Sequence, residues 1–172
     1  MVYYRRDYTE GAIYFFTLTL HNRRATYLTT YIHLLGKSFR DVRAKYPFST
    51  LAVAILPDHL HIIWQLPDNE CNYSMRWRLI KTNFTKSLLK ETIHFKKNKR
   101  GEYQLWQSRF WEHRIRDETD LQKHVDYIHY NPVKHGYAAK ANQWPHSSIH
   151  RYIKEGIIPC DWACEPEGDF NE

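Results

Sequence analysis

The stretch Leu51-Ala-Val-Ala-Ile-Leu-Pro57-Asp58-His59-Leu60-His61-Ile62-Ile63-Trp64 leaves the backbone little choice. It reads as a strand ending at Pro57, a tight Pro57-Asp58 link, and a second strand carrying His59 and His61. Alternate side chains of a strand share a face. His59 and His61 therefore aim two imidazoles at one spot, while Leu60 and Ile62 face the other way into a core. Paired imidazoles suit a metal ion. Eleven histidines in 172 residues produce a His-x-His by chance roughly 0.7 times. The pair alone thus fits two histidines on the polar face of a half-buried strand equally well, and the rest of the chain has to decide.

The length suits one domain, and 42% apolar with 16% aromatic residues supports a real core with aromatics to spare. No apolar run approaches a membrane span, and no apolar segment follows the basic start as in a secretory signal. Cys71, Cys160 and Cys164 do not suggest a disulfide framework. A reducing cytoplasm is the expected setting. Charge divides the chain: residues 1–154 carry 25 basic against 13 acidic side chains, and 155–172 carry acidic ones only. A basic body points to an anionic partner, most often nucleic acid; a merely soluble surface followed by an acidic tail is the blander alternative.

Ala12 to Leu20 reads as a first, central strand. A helix capped by Thr29 or Thr30 runs to about Tyr46, with Ile32, Leu35, Phe39 and Val42 on one stripe. Ser74 caps a second helix over 75–90, whose buried stripe is Trp77, Ile80, Phe84 and Leu88. Its Arg76, Lys81, Lys86 and Lys90 are left for solvent or phosphate. Phe110 to Arg116 alternates as a fourth strand. A third helix starts at Asp117 or Thr119 and ends at Asn131 before Pro132. On it Leu121, Val125 and Ile128 face the sheet, while Tyr127 and Asn131, four apart, look out together from the rim of that face. The segment beyond Gly136 is irregular and wraps the domain. The β-α-β-β-α-β order is a ferredoxin-like α+β plan, an antiparallel sheet with helices on one face plus an additional helix carrying the tyrosine.

With His59 and His61 on a central strand and Tyr127 and Asn131 on a helix covering that face, two imidazoles, an amide and a phenol meet. A divalent ion there acts as a Lewis acid on a phosphodiester, and Tyr127 is placed to attack phosphorus. A tyrosine packed at the rim and an asparagine ending the helix would explain the same residues.

His59-Leu60-His61 matches the His-hydrophobic-His motif of the HUH single-strand DNA endonucleases. Together with Tyr127-Ile-His-Tyr-Asn131-Pro-Val-Lys-His-Gly136, the sequence resembles the single-tyrosine transposases, and within them the REP-associated tyrosine transposases. The similarity runs through Tyr4-Arg5-Arg6, Leu56-Pro57-Asp58-His59-Leu60-His61, Arg76 to Lys81, Trp106 to His113 and Asn131-Pro132-Val133. It implies a Mg²⁺ or Mn²⁺ ion held by His59, His61 and Asn131, where related enzymes carry Gln at the position of Asn131. It implies Tyr127 as nucleophile, forming a 5′-phosphotyrosine on single-stranded DNA beside palindromic hairpins of repetitive extragenic (REP) elements. Arg5 and Arg6 are the leading candidates to read a guide or hairpin base, followed by Lys81, Arg23 and Arg24. A monomer is expected, with residues 1–154 as the transposase domain and 155–172 as an acidic tail. Two other readings are a hairpin-binding protein that does not cut, and a zinc protein using His59, His61, Cys160 and Cys164.

Overall fold

The structure, a computed structural model, describes residues 6–162; Arg5, Cys164 and most of the acidic tail lie outside them. Four strands, β1 (Ile13–Thr19), β2 (Ser49–Ile55), β3 (His59–Gln65) and β4 (Trp111–Arg114), form one antiparallel sheet in the order β2-β3-β1-β4. The helices are α1 (Tyr27–Thr30), α2 (Ile32–Lys45), α3 (Tyr73–Lys90), α4 (Glu118–Lys134) and α5 (Ile149–Lys154), with a 3-10 turn at Ala141–Gln143. This is the expected α+β plan with a tyrosine-bearing fourth helix.

Period-two alternation divides the sheet into two working faces. Tyr14, Phe16 and Leu18 of β1 and Leu60, Ile62 and Trp64 of β3 pack against Leu35 and Val42 of α2 and Trp77, Ile80, Phe84 and Leu88 of α3. Trp64 and Trp77 stack at 4.0 Å with their planes 13° apart. The opposite face presents Phe15, Ala52, Ala54 and Ile63 to Val125 and Ile128 of α4. Two alanines on β2 let the helix approach closely, and a register shift between Thr50 and Ala52 bends that strand beneath it.

Several local expectations are corrected. The first long helix is interrupted at Tyr31, and no threonine side chain caps α1 or α2. Asn72 rather than Ser74 caps α3, its Oδ1 accepting from Met75 N at 3.0 Å. Arg76 is not a solvent-facing cation: it is fully buried and donates to the carbonyls of Tyr46, Pro47 and Asn72 and to Glu70. Its five N–H groups can thread a set of orphan carbonyls that lysine could not satisfy. Asp117 does cap α4, accepting from Asp120 N at 2.8 Å, but the helix runs past Pro132 to Lys134. The segment after Gly136 holds the 3-10 turn and α5. It bonds along β2 through His146 O to Ile55 N and Val53 O to Ser148 N, and so covers an edge that would otherwise be open.

Candidate metal and tyrosine site

His59 and His61 project from β3 onto the α4 side of the sheet, where both are buried, their ring centroids 5.1 Å apart. Each is oriented through Nδ1. His59 Nδ1 donates to Asp58 Oδ1 at 2.8 Å, and Asp58 Oδ2 is held in turn by Arg23 Nε at 2.7 Å. His61 Nδ1 lies 2.8 Å from Thr17 Oγ1, on the residue paired with it across β1 and β3. Fixing Nδ1 leaves Nε2 to point into the site, the arrangement that metal-binding histidines use. Burial drives the His59 pKa down, more than the Asp58 carboxylate restores it, so the imidazole is in the neutral form a metal needs.

Helix α4 brings the other two residues. The Tyr127 ring lies 5.1 Å from that of His61 and 6.0 Å from Phe15. Asn131, one turn on, is completely buried. The expectation that this pair sits at an open rim is corrected: Tyr127 is only 1% exposed. Val125 and Ile128 draw the helix onto the small residues of β2, and that close packing covers its flank.

The residues present fit a divalent ion. Among the described residues His59 Nε2 and both polar atoms of the Asn131 amide are buried without a hydrogen-bond partner. A buried amide in that condition is costly unless something else meets it. Two imidazole nitrogens and an amide oxygen are a neutral donor set, leaving the ion its charge for a phosphate.

Three neighbours were not anticipated. Asp58, directly before His59, is the carboxylate that orients it. His135, the residue ending α4, puts its ring 5.0 Å from that of His59; its spacing of four from Asn131 was the available signal. Lys134 holds its Nζ 5.2 Å above the Tyr127 ring, a cation beside the phenol.

Of the proposed DNA contacts, Arg6 and Lys81 come together in a groove of about 750 Å³ whose walls include Arg78, Tyr103, Trp106 and Phe110. The Arg6 guanidinium lies 4.2 Å from the Phe110 ring centroid and donates to Ser74 Oγ at 2.7 Å. Lys81 donates to Gln107 O at 3.1 Å, and burial pushes its ammonium down to about 8. The loop after β1 links groove and site: His21 lines the groove, while Arg23 grips Asp58. Arg24 is exposed in the same loop.

A ferredoxin-like sheet with paired imidazoles and a phenol on a covering helix defines the single-tyrosine HUH transposase class. The family model described as "Transposase IS200 like" matches residues 9–131, and this chain belongs to that family. A REP-associated tyrosine transposase of Escherichia coli (strain K12) is 42% identical over 93% of this chain and 90% of its own length. A Haemophilus influenzae protein assigned to the same group is 49% identical, over 95% and 94%. A solved structure of a REP-associated tyrosine transposase bound to a REP hairpin superposes with a TM-score of 0.87 at 42% identity, covering 99% of this chain and 95% of that one.

Proposed function

We propose that the protein cuts and rejoins single-stranded DNA beside REP-type hairpins, with Tyr127 as the nucleophile. The observation that carries this reading is that the Tyr127 ring lies 5.1 Å from that of His61 on the same chain, with Asn131 one turn along. Mg²⁺ or Mn²⁺ held by His59, His61 and Asn131 would supply Lewis-acid polarisation of the phosphodiester. Two imidazole donors favour Mn²⁺ over Mg²⁺.

The chemistry asked of the protein is an exchange of esters. Tyr127 Oη forms a bond to phosphorus as the bond from phosphorus to the 3′ oxygen breaks. The phenol loses its proton and the departing 3′ oxygen gains one. The product is a 5′-phosphotyrosine and a free 3′ hydroxyl, and attack by a 3′ hydroxyl reverses the step. A phenol with an ordinary pKa near 10 is protonated at neutral pH, and the Lys134 ammonium over the ring favours the phenolate as it forms. Asp58 and Thr17 keep both imidazoles aimed. Arg6, Lys81, Arg23, Arg24 and Arg5 would hold the strand through phosphates, with Phe110, Trp106 and Tyr103 offering faces on which unpaired bases stack. All four site residues come from one chain, which supports action as a monomer.

The test is a palindromic hairpin oligonucleotide incubated with the protein and Mn²⁺, then run on a denaturing gel. A protein–DNA band that survives denaturation is expected, and Tyr127→Phe should remove it while leaving hairpin binding intact. Because the groove stands apart from the tyrosine, a purely hairpin-binding protein is the second reading. Retarded DNA on a native gel with no covalent band in the wild type would establish it instead.

A further inference from the structure

Beyond the site at β3, a second cluster of metal-ligating side chains joins β4 to the start of α4. His113 Nε2 lies 2.9 Å from Asp120 Oδ2, and His124 Nδ1 lies 3.2 Å from Asp120 Oδ1 and 2.8 Å from the Asp120 main-chain oxygen, a hydrogen bond that a metal at Nδ1 would replace. One potential ligand atom from each of the three falls within 4.8 Å of the others. Around a single zinc ion, with bonds of about 2.1 Å, tetrahedral ligands stand about 3.4 Å apart. A small closure would therefore complete the site. The two imidazole rings are nearly parallel, 13° apart, with centroids at 4.7 Å. Asp120 and His124 sit one helical turn apart on α4, so two of the three donors are on a rigid element, and both are buried. The Asp120 carboxylate already holds a cation, the Arg116 guanidinium at 3.0 Å. That side chain is mostly exposed and can swing into solvent when an ion takes its place.

We propose that His113, Asp120 and His124 form a second divalent-metal site, one that prefers zinc and pins the helix carrying Tyr127 to the edge of the sheet. Two imidazoles and one carboxylate are a donor set for zinc or a late transition metal rather than for Mg²⁺ or Ca²⁺. The cluster is separate from the paired histidines of β3: the Phe15 ring contacts both, lying 4.8 Å from His124 and 5.7 Å from His61. Its placement gives it a role. His124 precedes Tyr127 by three residues, and β4 is only four residues long, so an ion here ties down a short edge strand and the first turns of the catalytic helix.

The experiment measures zinc bound to the full chain after equilibrium dialysis, with the His59→Ala/His61→Ala double variant isolating the second site. That variant should retain one zinc per chain and gain about 5–10 °C in melting temperature at a hundredfold excess over Kd. Adding His113→Ala, at a partly exposed strand position, should abolish both. Asp120→Asn in the same background keeps a side-chain oxygen that can accept from Arg116 N, as Asp120 Oδ2 does at 3.0 Å, and should weaken zinc uptake at least tenfold. Far-UV circular dichroism without metal establishes that each variant is folded. Three outcomes overturn the proposal: no zinc on the double variant, uptake that His113→Ala leaves unchanged, or uptake lost only on Cys160→Ser with Cys164→Ser. The Co²⁺-loaded double variant offers an independent reading. Near-UV thiolate-to-metal absorption would assign the ion to the cysteines and also overturn it.

Discussion

At the scale of single residues, the candidate site depends on side chains that only orient other side chains. Asp58 fixes which nitrogen of His59 would face an ion, and Arg23 fixes Asp58. Asp58→Asn should therefore lower Mn²⁺ affinity about 10–100-fold, the range typical for lost ligand-orienting contacts; titration followed by electron paramagnetic resonance measures it. An unchanged affinity would remove Asp58 from that role. Lys81 makes a pH prediction. Burial disfavours its charged form, so the ammonium loses its proton near pH 8 rather than near the ordinary value of 10.5. On the proposed function Lys81 would need that charge to hold a phosphate, so hairpin affinity should fall between pH 7 and 9. Lys81→Arg should flatten the decline, since a guanidinium stays protonated throughout. Fluorescence anisotropy of a labelled hairpin across pH is the measurement.

At the scale of elements, the sheet is held between α2 and α3 on one side and α4 on the other, and the two sides were not equally legible. The strands and the stripe on α3 followed from periodicity alone, because burial of alternate or every third-to-fourth residue is what the pattern encodes. Phe84→Ala should accordingly cost about 3–5 kcal/mol, and loss of the cap in Asn72→Ala about 1 kcal/mol, both by denaturant melting. What the pattern could not carry was depth. A helical wheel puts Tyr127 and Asn131 beside the apolar stripe but is silent on the size of the opposing residues. Ala52 and Ala54 of β2 let α4 sink until both are covered. Arg76 illustrates the same limit: a charged residue on an amphipathic helix is normally solvated, and only the carbonyls of Tyr46, Pro47 and Asn72 converging from elsewhere make its burial tolerable. Pro132 gives up the bond to the carbonyl four residues back yet ends no helix, because the turn after it still closes, His135 N donating to Asn131 O at 3.1 Å. The His59–His61 pair and the Tyr127–Asn131 spacing were readable because each lies on one regular element. Lys134 and His135 follow Tyr127 and Asn131 by seven and four residues and were readable from that helical spacing, whereas Asp58 lies in the link before β3 and only packing shows its carboxylate turned to His59.

At the scale of the whole molecule, a basic groove on one flank and the paired imidazoles on another are joined around the end of the sheet by the loop that carries His21, Arg23 and Arg24. A strand bound along this path contacts several phosphates, so hairpin affinity should fall steeply with salt; replacing Arg6 and Lys81 together should lower affinity and shallow the log–log slope by about two. Among the described residues no helix is long and apolar enough to cross a membrane. The link between β4 and α4 has a further consequence. It spans only residues 115–117 and is stitched to β1 by Ile115 N donating to Ile13 O at 2.9 Å. So short a tether keeps α4 beside its own sheet, and on the proposed function each polypeptide would supply its own nucleophile. Turnover per molecule should then stay constant on serial dilution into the nanomolar range. Mixing a Tyr127→Phe chain with a His59→Ala/His61→Ala chain should restore no cutting.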